Sequence, residues 1–254
     1  GGALTVLLVG SGVVFALGLM LMEGAEAGSA ASMWRLLPKG LTMAGFSLST
    51  ALAAVALSFP MAWALAALIS YMMRPRAMMR MRSAISGLSA IPAVVFGYLS
   101  LNYFVPVIGS PWWGVTATLM LMSLMRQTLE IIQVNQRHYP AVEAAQAMGM
   151  YMYETILHVV LPRARNGYLS VALKMLARCM AEGVAILLVL SAYGSGEDTL
   201  PTALMKAVGV TGEVGSTRFI LLLALLLLLL VLLTNAVISA CLEGGRHGKK
   251  KGAQ

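Results

Sequence analysis

The sequence predicts an all-α membrane protein with six transmembrane helices, and three observations carry that reading. First, of 254 residues 59% are apolar and only 11% charged, with a mean hydropathy of +0.82. A water-soluble domain carries about 25% charged residues, so a soluble enzyme, a disordered chain and a disulfide-rich secreted module are all excluded. Second, the apolar runs are long and continuous, which suits helices and not the short alternating strands of an outer-membrane barrel. Third, the cations alternate in density from one loop to the next, as the positive-inside rule demands of a multi-pass chain.

A helix needs about 20 apolar residues to cross a bilayer. The first charge-free run gives a span at 4–22. It has no basic segment before it and no A-x-A site close behind, so it reads as a span and not as a cleaved signal. The second span covers 40–73 and contains Pro60. A charge-free run from 83 to 125 is long enough for two crossings. Gly109-Ser110-Pro111 divides it into spans at 84–107 and 113–125, with Trp112 and Trp113 placed as interfacial anchors. The stretch 126–166 is too polar to span and reads as a cytoplasmic loop. Spans five and six fall at 167–193 and 219–241, followed by a basic tail at 243–254. The whole chain thus reads as one transmembrane domain.

The formal charge of +8 resolves once it is placed. Twelve of the eighteen cations fall in the loops after spans two and four and in the tail. Two, Lys174 and Arg178, lie inside span five, and the other four share the opposite side with five of the ten acids. Both termini are therefore expected in the cytoplasm. Topology accounts for the basicity, and no nucleic-acid partner is expected. The cysteines, Cys179 and Cys241, lie in apolar stretches and form no metal or disulfide pattern. His138, His158 and His247 fall outside the spans. No metal site is expected.

Two constellations carry chemistry. In the loop 126–166, Pro140 suits a first helical position, and Glu143 falls in the first turn, where a carboxylate complements the helix dipole. Ala144, Ala145 and Ala147 then form helix with little side chain, and Gly149 permits a stop. The product is a short, smooth helix that another protein could approach closely; an ordinary linker helix would have the same composition. The spacing of Glu143-Ala144-Ala145, Gly149 and Leu161-Pro162 resembles the EAA signature of bacterial ABC-importer permeases, with Val159 at the position that family fills with Ile. The resemblance implies the type I importer permease fold. It also implies that Glu143, Ala144, Ala145, Gly149, Leu161 and Pro162 belong to a coupling element that docks on a cytoplasmic ATPase. The chain has no G-x-x-x-x-G-K-[ST] segment, so ATP and its Mg²⁺ are expected on the partner. No cofactor is expected on this chain, which is read as a transport subunit and not an enzyme.

The second constellation is Lys174, Arg178 and Glu182, spaced to share one helix face. An ionised group at the bilayer centre costs about 2.5–3.5 kcal/mol on insertion scales, so these three should face protein or a polar pathway. A buried ion pair that fixes packing is one reading. A path for an anion, with the carboxylate positioning Arg178, is the other.

Ala177-Arg178-Cys179-Met180-Ala181-Glu182 resembles the R-A-x-G-E-T segment of phosphate importer permeases of the Pst type. Ala181 stands where that family has Gly, and Gly183 where it often has Thr. Sulfate and molybdate permeases share the Arg-to-Glu spacing. Ile91-Pro92 to Gly97, then Phe104-Val105-Pro106, is similar to the I-P-S-V-V-Y-G and F-V-P stretch of phosphate permeases. Pro92 and Gly97, like Pro60, also read simply as kink and packing positions. Leu232 to Asn235 resembles that family's last helix. The likeness implies a phosphate importer in the bacterial cytoplasmic membrane. Its implied partners are a second permease subunit, two ATPase subunits and an extracytoplasmic phosphate-binding protein. An importer of sulfate, molybdate or tungstate, and a non-energised channel or scaffold, are the rivals.

Overall fold

The computed structural model describes residues 29–194, 198–209, 220, 222–233 and 236. The expected first span, Asn235, Cys241 and the basic tail lie outside the described residues. Every element among those described is a helix.

The first helix, α1, covers Ser29–Ala67 and ends in a π-helical turn, Leu68–Met72. Its stretch Leu37–Met72, 36 residues, is long and apolar enough to cross a membrane. At 1.5 Å per residue this is about 54 Å, more than a hydrocarbon core of about 30 Å requires. Pro60 removes one backbone donor, yet the helix continues through it. Buried hydroxyls stay satisfied on their own backbone, as Ser47 Oγ donates to the Met43 carbonyl at 3.0 Å and Thr50 Oγ1 to Phe46 at 2.8 Å. The helix stops because Pro75 disfavours helical geometry at the preceding residue, and Arg74 is extended at ψ 148°.

The segment read as one span at 84–107 is two helices. α2 (Pro75–Ser89) and α3 (Ala93–Tyr103) meet at 82°. Pro92, extended at ψ 141°, forms the break outright instead of bending a continuous helix. α4 (Pro111–Arg137) then runs well past the expected end at 125. It continues because its polar residues find partners in neighbouring helices. Gln127 Oε1 accepts from Ser58 Oγ at 3.1 Å, and Ser123 Oγ donates to Ser58 Oγ at 3.1 Å. Asn135 Nδ2 donates to Ser70 Oγ at 3.4 Å and Asn135 Oδ1 accepts from Tyr168 Oη at 2.6 Å.

After α5 (Tyr139–Ala147) comes a bent rod. A turn, Met152–Glu154, and a π segment, Thr155–Val160, lead into α6 (Leu161–Ala181). α7 (Val184–Tyr193) continues after a 57° bend. Two short helices close the described chain: α8 (Leu200–Ala207), capped by the Thr199 hydroxyl, and α9 (Leu222–Leu233).

α1 and α4 form the longest packed pair, with α6 laid against both. One buried cluster, including Ala66, Ile69, Ile131, Ile132, Val160 and Val171, joins these three helices. A second, including Ala54, Leu119, Met175, Met180, Ile186 and Leu190, brings in α7. A third seats α8 and α9 on α1 through Met43, Leu200 and Leu223. Lipid tails are as apolar as these side chains, so close packing and interhelical hydrogen bonds hold such a bundle. Glycine supplies the closest approaches. A Cβ at Gly167 would lie 2.8 Å from Val134 Cγ1, between α6 and α4.

Candidate functional site

The charged constellation is assembled by two helices. Lys174 and Arg178 lie one turn apart on α6, both exposed. Glu182 falls just beyond the helix end at Ala181, in extended geometry (ψ 125°). The three therefore do not share one continuous helical face. At this turn Gly183 is pressed against α8: a Cβ would stand 2.9 Å from Met205 Sδ and 3.2 Å from Pro201 Cβ.

The partner of Lys174 comes from α4. Its Nζ lies 3.8 Å from Glu130 Oε2. Among the described residues, ion pairs join Lys174 to Glu130 and Lys206 to Asp198; Arg178 and Glu182 form none. One turn before Glu130 stands Arg126, whose Nη2 donates to the Ser89 carbonyl at 3.3 Å, tying α4 to the end of α2. Arg126 is close enough to feel both Arg178 and Glu130 electrostatically. The site thus sets Arg126 and Glu130 of α4 beside Lys174 and Arg178 of α6, with Glu182 at the adjacent break. The sequence does not single out Arg126 and Glu130, because the polar stretch 126–166 reads as a loop. Their i, i+4 spacing, continued by Ile131, Val134 and Asn135, is the signal that could have found them.

The second site is α5 with its flanks. Val142 belongs to the first core cluster and Ala145 is buried as well, which leaves Glu143 and Ala144 exposed. The helix ends in a Schellman motif. The Met150 N–H donates to the Ala145 carbonyl at 3.2 Å and the Gly149 N–H to Gln146 at 2.9 Å, with Gly149 at φ +85°. This left-handed geometry is what glycine is used for at a helix end. Beyond it the surface is apolar: Met148 is 77% exposed, and Tyr151 and Tyr153 stack with ring centroids 6.1 Å apart. The Tyr151 N–H donates to Glu154 Oε2 at 3.2 Å, capping the next turn. Leu161 and Pro162 are exposed where the π segment passes into α6, and the Leu161 N–H reaches back to the Ile156 carbonyl. Pro60 is exposed on α1, and Pro92 caps α3. Gly97 is buried, facing Ala185.

No protein-family model matches the chain, and no curated protein matches it by sequence. Among solved structures, it is similar to a chain from the MetNI methionine ABC transporter in inward-facing conformations. The TM-score is 0.58 at 15% identity, over 83% of this chain and 98% of that one. The helical arrangement described above is therefore the fold of that chain.

Proposed function

We propose that this chain is the permease subunit of an ATP-driven importer of inorganic phosphate. The observation that carries the reading is α5. A helix with Glu143 and Ala144 bare, closed by a left-handed Gly149, stands at EAA spacing in a chain whose fold is found in an ABC transporter. Six spans, cytoplasmic termini and a place in the bacterial cytoplasmic membrane belong to the same reading.

Each partner has a part. A second permease, identical or homologous, completes the pathway, and an extracytoplasmic phosphate-binding protein delivers the anion. Two ATPase subunits bind ATP and Mg²⁺; this chain catalyses no covalent step. ATP binding closes the ATPase pair and moves α5 through the docking element Glu143, Ala144, Ala145, Gly149, Leu161 and Pro162. The rigid α4–α6 pair passes that movement to the pathway. Lys174 and Arg178, with Glu182 beside them, offer charge-assisted hydrogen bonds to the oxyanion.

A second reading keeps the importer and changes the anion, since the Arg178-to-Glu182 spacing is shared with sulfate and molybdate permeases. Reconstitution with its ATPase and binding protein decides. Phosphate uptake that resists competition by sulfate, molybdate and methionine supports the proposal; ATPase stimulation by any of those competitors and not by phosphate overturns the substrate. Failure of a co-expressed ATPase to bind overturns the importer in favour of a channel or scaffold.

A further inference from the structure

Where α1 leaves its membrane-crossing stretch and α2 begins, Arg74, Arg76, Arg80 and Met81 line an open cleft of about 690 Å³. Its charge is uncompensated. No acidic residue occurs in the sequence between Glu26 and Glu130. Among the described residues none of the three guanidinium groups has an ion pair or a side-chain hydrogen bond. The start of α2 adds positive potential of its own. Its first turn holds no acid, and Arg74 makes no side-chain cap, so the opening N–H groups and the helix dipole are free to meet an anion. The flanks are apolar, with Met72 and Met79 about 70% exposed beside the arginines. Thioether chains of this kind adapt readily to irregular apolar partners. Cation and apolar surface thus lie side by side at the end of a membrane-crossing helix, the placement an amphiphile requires.

We infer that this cleft binds an anionic phospholipid, the arginines taking its phosphate and the methionines its first acyl carbons. The chemistry they recognise is a phosphate ester, which free phosphate shares; the apolar flanks favour the lipid. The site is independent of what the protein transports. Each cation near an anionic leaflet adds to the attraction.

The test is native mass spectrometry of the full chain in detergent, titrated with dioleoylphosphatidylglycerol or dioleoylphosphatidylcholine. The wild type is expected to retain the glycerol lipid at least about tenfold better. The triple variant Arg74→Gln/Arg76→Gln/Arg80→Gln should fall to the choline level, while the triple lysine variant keeps the preference and shows that the fold survives substitution. Millimolar inorganic phosphate should leave the lipid bound. Equal retention of both lipids, or an unchanged glutamine variant, overturns the inference. So does displacement by inorganic phosphate, which makes this a free-anion site, or by a polyglutamate peptide, which makes it a protein-docking surface.

Discussion

A Cβ built on Gly97 would lie 2.9 Å from both the Cα and the carbonyl oxygen of Ala185. α3 and α7 therefore touch backbone to backbone, each within two turns of the break that starts it. Both broken rods, α2–α3 and α6–α7, are held together at this crossing. Any side chain at 97 must push the helices apart, and overpacking of this kind costs about 1–3 kcal/mol. Gly97→Ala should lower the unfolding temperature in detergent, and Gly97→Val more. Ala185→Gly should give no rescue, because the contact is with backbone and not with the Ala185 methyl. Rescue by that second change would refute the backbone contact.

Gly149 tests a different constraint. No atom lies within 4 Å of a Cβ placed there, so its need is conformational, at φ +85°. A β-branched residue in that region carries roughly 1–2 kcal/mol of strain. Gly149→Val should leave membrane insertion and the protein's abundance near normal while uncoupling ATPase activity from uptake. Gly149→Asn, better tolerated in left-handed geometry, should retain more coupling. Normal uptake by the valine variant would count against a docking role for the α5 end.

The charged constellation separates transport from stability. Lys174 is about half exposed in its pair with Glu130, and such pairs contribute at most about 1 kcal/mol. Glu130→Gln should therefore barely alter thermal stability. It frees Lys174 and removes a competitor for it, so the apparent affinity for the transported oxyanion should rise. Arg178→Ala should abolish uptake at unchanged abundance. If Arg178→Ala transports normally, the cluster serves packing alone.

These residues also show how far the sequence carries. The helical class follows from hydropathy, because a scarcity of charge over long runs needs no knowledge of neighbours. The end of α5 was equally legible, since Gly149 is local turn chemistry. The run of α4 from Arg126 to Arg137 was not. Read alone, Gln127, Thr128, Glu130 and Asn135 look like loop. Yet Gln127, Glu130 and Asn135 find their partners in Ser58, Ser70, Tyr168 and Lys174, residues tens of positions away in sequence. The break at Glu182–Gly183 was hidden for a related reason: it coincides with α8 packing against Gly183, a tertiary contact with no signature in the local pattern. The missed pair, Arg126 and Glu130, lies in the α4 stretch whose helicity these distant partners sustain.

The Tyr168–Asn135–Ser70 chain offers the sharpest test of that account, because it ties α6, α4 and α1 together beside the start of α5. All three residues are buried, and the Tyr168 hydroxyl donates to Asn135 Oδ1 at 2.6 Å. Asn135→Ala leaves both the tyrosine hydroxyl and the Ser70 hydroxyl without this partner, and an unsatisfied buried polar group costs about 1–3 kcal/mol. Tyr168→Phe strands only the Asn135 Oδ1 acceptor, one buried group against two, and should cost less. In the double variant the phenylalanine has no hydroxyl to strand, so its added cost should be well below the single effect. A coupling of about 0.5–3 kcal/mol is expected from denaturation of the four proteins. Strict additivity would mean that the two side chains act separately, and that α4 is held at this depth by apolar packing alone.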